Sequence, residues 1–476
     1  MIDRRASWEA GPDGTTRARR RPTRRGFVRG ALATGAALLP ACSAPGGQGT
    51  AAAPQAVEKA AVTKAPVTVE YWTFWPAARL EIVQPHLPAF EQRTGYITAN
   101  LSQVSEFRAK LRTAIVGGTP PDASIGDVFS AALYGDQKVL LQLDPLLKRD
   151  GIDLQRDYVL NGFEHWCDRA YAFPLDGFSM ALVYNKSMFR ERGVPDPWDV
   201  QKGQWTWDDF VAALTKLTRD EVVGFHPDNH QLARGYHPFI VANGGEYFDY
   251  DTMKYTLDQP QAIDAMEWIH TLAVQRQVMT TQAVFTEMRK ATSGEPFAAG
   301  WLGVIGDDGA ATAAPSVRKL IANRFEWDVV PYPSRRQGEP SYGLVGGNGN
   351  WAYGKGRHPD EGYELLKFMG DDAVQSVIGQ SGIVPPAQWK ARRDQNGFLK
   401  PAKHMHVFND IWTSGYFRTN RAYHYRDLEL GPALDKIVQT AFEGTATIKD
   451  TMIEANRIGN AQLEYGSKCY RPAWRS

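Results

Sequence analysis

The chain has 476 residues, of which 43% are hydrophobic, 22% charged and 11% aromatic. That balance fits a soluble globular protein of two or three domain-sized units and excludes a disordered or collagen-like chain. The formal net charge of +1 is uneven: residues 1–41 carry nine Arg against three acids, leaving 45 basic and 50 acidic residues in the rest. A mildly acidic body excludes nucleic acid as the expected partner, because phosphate recognition needs a basic surface.

The first expected element in chain order is a leader. Thr23-Arg24-Arg25-Gly26-Phe27-Val28-Arg29 precedes a mild apolar run from Gly30 to Leu39, too short to span ~30 Å of hydrocarbon. Arg24 and Arg25 ahead of that run resemble a twin-arginine export signal. Leu39-Pro40-Ala41-Cys42 resembles a bacterial lipobox. The resemblance implies removal of residues 1–41 and acylation of Cys42, which would hold the body at a membrane surface outside the cytoplasm. A plain cleaved signal with an incidental Cys42 is the simpler alternative. Residues 42–65 are dominated by Ala, Gly, Pro and small polar residues without an aromatic, and are expected to be a flexible tether. The other two cysteines, Cys167 and Cys469, are permitted to pair in an oxidising compartment, but two buried free thiols are the expected state.

The body opens with Val67-Thr68-Val69-Glu70-Tyr71-Trp72-Thr73-Phe74, a β-branched and aromatic run that predicts a strand. Residues 79–93 carry apolar positions at helical spacing, with Pro85 and Pro88 weighing against a single helix. A strand over 97–104 follows, then a helix marked by Phe107, Leu111, Ala114 and Ile115 and ended by Gly117-Gly118. A short strand at 122–127 is expected to run into a helix from Val128. Such alternation predicts an α/β layer with a mainly parallel sheet, whose ligands bind beyond the carboxyl ends of the strands. Further on, Thr206 is placed to cap a helix through Leu217.

From Tyr171 onward the landmarks become specific. Tyr171-Ala-Phe-Pro-Leu-Asp176, Ala181-Leu-Val-Tyr-Asn-Lys186, Gly193-Val-Pro195 and Trp205-Thr-Trp207 occur in order. Phe297 to Gly306, Trp327 to Pro333, Gly346-Gly347-Asn348, Asp360 to Phe368, and two closing helices near Leu434–Gly444 and Ile448–Leu463 follow. Together they resemble the extracytoplasmic solute-binding proteins of ABC importers, in the sugar-binding group that includes maltose-binding protein, from about Val67 to Leu463. The resemblance implies a type II periplasmic-binding-protein fold, with two α/β lobes joined by a hinge and ligand held between them. Lobe one would comprise 66–174 and 345–395, and lobe two 175–344 and 396–476. Crossings would fall near Leu175–Phe178 and Leu344–Gly347, where Gly346 and Gly347 would absorb dihedral changes.

Candidate ligand contacts are residues that suit a polyol near that cleft. Trp72 and Trp75 offer flat faces for the apolar side of a pyranose, with core packing as the competing reading. Asp127 and Asp176 could each accept two hydroxyl hydrogen bonds, against helix capping and a hinge turn respectively. Asp307 and Asp308 stand where related proteins often carry a Ser-Trp loop. Two acids there suggest hydroxyl or amine recognition, or else a solvated turn. Phe178, Gly346, Gly347 and Asn348 in the crossings, and Tyr416 and Arg418 in a later aromatic and basic cluster, complete the set.

The expected function is capture of a sugar or short oligosaccharide by a monomeric, membrane-tethered lipoprotein that delivers it to an ABC permease, with no cofactor and no metal. One alternative keeps the fold but binds a glycerophosphate-like anion clamped by Arg418 or Arg421. The other is a lipidated carbohydrate-active enzyme. Gly177-Phe178-Ser179-Met180-Ala181 misses the nucleophile-elbow pattern at its last position, and His404-Met405-His406 lacks neighbouring ligands at metal spacing and suits surface histidines. No phosphate-binding loop is present, so ATP would be hydrolysed by a partner.

Overall fold

A computed structural model describes residues 64–463, except 76, 127–133, 136, 160–163, 168, 250–251, 310–314, 322–323, 383, 414–416 and 420–426. The chain divides into two units, Met1–Val62 and Thr63–Ser476, and every described residue lies in the second. Arg24, Arg25, Cys42, Asp127, Tyr416, Arg421 and Cys469 therefore lie outside the described residues.

The first sheet starts with β1 (Val67–Thr73), where Val69, Tyr71 and Thr73 are buried and the residues between them are more open, the period-2 pattern of a strand. It pairs in parallel with β2 (Ile97–Gln103) and β3 (Ala123–Gly126). Between β1 and β2 the helical stretch is split into Ala77–Val83, a 3-10 turn Gln84–His86 and Leu87–Thr94. Pro85 and Pro88 are the second residues of the turn and of the second helix, within the first turn, where a missing N–H is tolerated.

Two long strands then pass through this sheet in opposite senses to one another. β4 (Ala172–Ser179) leads after Met180 into β5 (Ala181–Asn185), and β5 belongs to a second sheet with β6 (Val223–His226), β7 (Leu302–Asp307) and β8 (Trp327–Val330), in the order β8-β5-β7-β6. The chain returns through β9 (Gly343–Ala352), which runs antiparallel to both β3 and β4, and β10 (Phe417–Thr419) adds in parallel to its start. The mainly parallel pairing expected from residues 67–127 is present in β1, β2 and β3, whereas the second sheet is mainly antiparallel. β5 is antiparallel to β7 and β8, and only β6 and β7 pair in parallel in the second sheet. Strands that leave one sheet and enter the other arrive against its direction, so each sheet is mixed.

Apolar faces on both sides of the sheets are covered. Alternate residues of β5 divide between two core clusters: Ala181 and Val183 pack with Val69, Tyr71, Phe173 and Trp351, and Leu182 and Tyr184 with Phe210, Phe225, Phe239 and Leu434. The helix Trp207–Leu217 begins in a complete capping box of Thr206 and Asp209 and buries Trp207, Phe210 and Leu214 in the second cluster. The closing pair, Asp427–Phe442 and Ile448–Gln462, adds Leu434, Val438, Met452 and Ala455 to it. No helix among the described residues is long and apolar enough to cross a membrane.

Two local expectations are overturned. Cys167 is disulfide-bonded rather than a free thiol. His404 is not a surface histidine: its ring stacks on Trp198 at 3.9 Å and its Nδ1 lies 2.8 Å from Oδ2 of the buried Asp328.

Candidate functional site

The segments expected to cross between lobes are neighbours on β4 and β9. Ser179, Phe178, Gly177 and Asp176 lie opposite Val345, Gly346, Gly347 and Asn348, and the ladder shifts register between Asn348 and Gly349. At that irregularity the Asn348 backbone N–H turns to a side chain, donating to Asp176 Oδ1 at 3.0 Å, while Asn348 Nδ2 donates to both carboxylate oxygens at 3.1 and 2.8 Å. Asp176 is 3% exposed. Burial pushes its carboxyl up to about 6, against the lowering pull of the Asn348 bonds and of Arg79.

The two glycines serve close approach here. Both lie inside β9 without a left-handed φ. A Cβ on Gly346 would come within 2.2 Å of the Phe178 ring, and one on Gly347 within 2.4 Å of the Asp176 carbonyl oxygen. Glycine lets the two strands pack where a side chain would separate them.

Over Phe178 sits a cation that sequence reading did not single out. The Arg234 guanidinium lies 5.2 Å from the Phe178 ring centroid. Its Nε donates to Asp228 Oδ2 at 2.5 Å and its Nη2 to Asp308 Oδ2 at 2.9 Å. Burial disfavours its charge, but the two flanking carboxylates hold it above its ordinary range. The loop after β6 brings these groups together by winding tightly. Asp228 has φ +68°, His226 Nε2 is 2.8 Å from the Asp228 carbonyl oxygen, and a Cβ on Gly235 would strike the Asn229 carbonyl oxygen at 1.9 Å.

Asp307 and Asp308 are not a solvated turn. Asp307, 1% exposed, accepts the Gly309 N–H at 2.7 Å, and Asp308 is tied to Arg234. Beside them, the hydroxyl of the 2% exposed Tyr332 has no hydrogen-bond partner among the described residues and lies within the electrostatic reach of Asp228, Arg234 and Asp307.

Asp176, Asn348, Phe178, Gly346, Gly347 and Asp308 thus cluster around the paired crossings, with Arg234, Asp228 and Arg79 as members missed from sequence. Arg79 also lies over the Trp75 ring at 5.4 Å. Trp75 itself is 2% exposed and packs in the first core cluster, with its indole N–H unpaired among the described residues. Trp72 is half-buried against the same cluster. Arg418 is placed only by its backbone, opposite Leu344 on β10. The Ser179 hydroxyl, part of the rejected nucleophile pattern, donates to the Phe408 carbonyl at 2.5 Å. No group of three or more potential metal ligands occurs among the described residues.

Comparison with known proteins follows from this geometry. Residues 76–376 match a family model described as bacterial extracellular solute-binding protein. No curated protein matches the chain. Among solved structures, an ABC substrate-binding protein of Listeria monocytogenes in complex with cycloalternan is 17% identical, with a TM-score of 0.70 over 84% of this chain and 99% of its own. The GacH receptor of Streptomyces glaucescens, solved unliganded and with acarbose, is 16% identical, with a TM-score of 0.69 over 85% and 100%. UgpB of Mycobacterium tuberculosis in complex with glycerophosphocholine is 19% identical, with a TM-score of 0.65 over 84% and 99%. At these identities the likeness shows the fold, two lobes of sheet flanked by helices.

Proposed function

The chain belongs to the bacterial extracellular solute-binding proteins, and from that membership we infer that it captures a neutral sugar or short oligosaccharide between its lobes and hands it unchanged to an ABC permease. The observation that carries this reading is the convergence on the crossing strands of a buried carboxylate, an amide and an aromatic ring capped by a cation: Asp176, Asn348, Phe178 and Arg234. Carboxylate and amide suit adjacent hydroxyls, and the ring suits the apolar face of a pyranose. Ligand contacts to both lobes would shift an open–closed equilibrium by their differential affinity. In this reading the body is a monomer held outside the cytoplasm by acylated Cys42 after twin-arginine export. The boundaries of the lobes are those expected from sequence, 66–174 with 345–395 and 175–344 with 396–476. It carries out no catalysis.

Relatives of this fold solved with cycloalternan, acarbose and glycerophosphocholine support both a sugar and a phosphate-bearing cargo. The pairing of Arg234 favours the sugar. A guanidinium already bridging Asp228 and Asp308 is committed to two carboxylates and is poorly placed to clamp a phosphate.

A thermal-shift screen against neutral mono- and oligosaccharides and against glycerophosphodiesters separates the two. A ligand at 100 times its Kd stabilises by about 2.7 kcal/mol, which a melting curve resolves. Shifts with sugars alone are expected; shifts with glycerophosphodiesters alone would replace the sugar reading by the anion reading. Oligosaccharide turnover on incubation would replace both by the enzyme reading.

A further inference from the structure

Arg392 is fully buried, yet no carboxylate binds it among the described residues. Its guanidinium gives four of its five N–H donors to oxygens from three separate stretches of chain. Nη1 donates to the Gly177 carbonyl on β4 and, at 3.0 Å, to the Pro386 carbonyl; Nη2 donates to the Phe408 carbonyl at 3.2 Å; and Nε donates to Asn409 Oδ1 at 2.9 Å. Asn409 Nδ2 returns a bond to the Arg392 carbonyl at 2.9 Å. The same level of β4 is held again by the main chain of Pro385–Pro386 and, from the opposite side, by β9. The Gly177 N–H donates to the Pro385 carbonyl at 3.1 Å, Asp176 bridges to Pro386, and Asp176 takes its three bonds from Asn348 on β9.

Three runs of chain therefore meet at Asp176–Gly177: β4, β9, and the segment from Pro385 through the helix Val407–Thr413 that leads back toward β10 and the closing helices. A buried guanidinium is costly unless its donors are bonded, and one whose described hydrogen bonds all go to neutral oxygens is doing more than filling space. Its planar fork fixes several oxygens in one geometry, which a flexible ammonium does not.

We propose that Arg392 is the positioning residue of the interlobe connection: it fastens the segment from Pro385 to the helix Val407–Thr413 to β4, so that this segment, β4 and β9 move as one plate and Asp176 is held at its face. The proposal rests on the two-lobe binding reading only for what the movement serves, and its test uses the unliganded protein, so failure to find a sugar leaves it decidable. Charged groups facing Asp176 are Arg79 from the helix Ala77–Val83, Asp308 after β7 and Arg392 behind β4; Asn348 is the neutral donor on β9.

Two measurements test it. In the wild-type protein, amide hydrogen exchange of Gly177, which donates to Pro385, and of Asn348, which donates to Asp176, should report one opening, with protection factors equal within about threefold. Exchange of the two amides through separate openings overturns the proposal without any variant. Second, the titration of the Asp176 carboxyl is followed by its 13C shift, assigned with Asp176→Asn. Arg392→Gln should move the midpoint upward by about half a pH unit or more, because a cation is lost. Arg392→Lys should return the midpoint while leaving Gly177 protection reduced about tenfold or more, since charge is restored and the fork is not. An unmoved midpoint in Arg392→Gln overturns the proposal. Should that variant fail to fold, Asn409→Ala, which keeps the guanidinium and removes one anchor, must lower Gly177 protection about tenfold; unchanged protection overturns it equally.

Discussion

Asn348, 172 residues away in sequence, supplies all three hydrogen bonds that the Asp176 carboxylate accepts among the described residues. One residue on the outgoing strand and one on the returning strand thus share a buried charge at the place where the two sheets are connected. The consequence is a stability that depends on pH.

Burial raises the Asp176 carboxyl from 3.8 to about 6. The folded protein therefore holds this proton more tightly than the unfolded chain. Its stabilising contribution is complete below pH 3.8 and is lost as the pH rises through 6. On the order of 2–3 kcal/mol separates the two limits. Asp176→Asn is expected to flatten this part of the melting-temperature profile and to raise the midpoint at pH 7.5 relative to wild type. The same variant should lose ligand affinity. A wild-type profile without the slope would show that Asp176 titrates normally.

Arg234→Gln leaves Asp228 and Asp308 facing one another without their shared cation. With the three side chains about one-fifth exposed, the loss is expected to be roughly 2–3 kcal/mol, below that of a fully buried pair. Chemical denaturation measures it. The double variant Arg234→Gln with Asp308→Asn should recover part of the loss, since it removes the repulsion.

Gly346→Ala and Gly347→Ala should differ in cost. The first meets a ring that can swing, so overpacking of about 1–3 kcal/mol is expected, together with weaker ligand binding as Phe178 leaves Arg234. The second meets the main chain of Asp176 and should cost more, because the strands themselves must part. Equal denaturation midpoints for the two variants would contradict this ordering.

Trp75 is a candidate ligand contact from sequence, with core packing as its competing reading. Its burial in the first core cluster changes the expectation. Trp75→Ala should cost about 3–5 kcal/mol of stability, so the melting temperature must be measured beside the affinity.

Reduction should lower the melting temperature, because Cys167 is disulfide-bonded; a loss of about 2–4 kcal/mol is usual for such a bond. Cys42 and Cys469 are the two cysteines left to pair with it. If Cys42 is acylated as proposed, Cys469 is left, and a nonreducing peptide map of the lipidated protein should join the Cys167 and Cys469 peptides.

The sequence by itself determined what a short window of chain decides. Alternation of Val69, Tyr71 and Thr73 marks β1, Thr206 and Asp209 cap a helix, and Pro85 and Pro88 interrupt one. The order of such landmarks identified the family. Strand direction was beyond it, because the sense in which β5 and β9 enter their sheets depends on the path between sheets. The electrostatics of the site were equally hidden. Arg234 meets Asp308 across 74 residues and Arg392 meets Gly177 across 215, and nothing in the residues beside either arginine announces the partner. Local periodicity reports which side of an element is buried, whereas only the packed tertiary structure decides which buried charges face each other and must be satisfied.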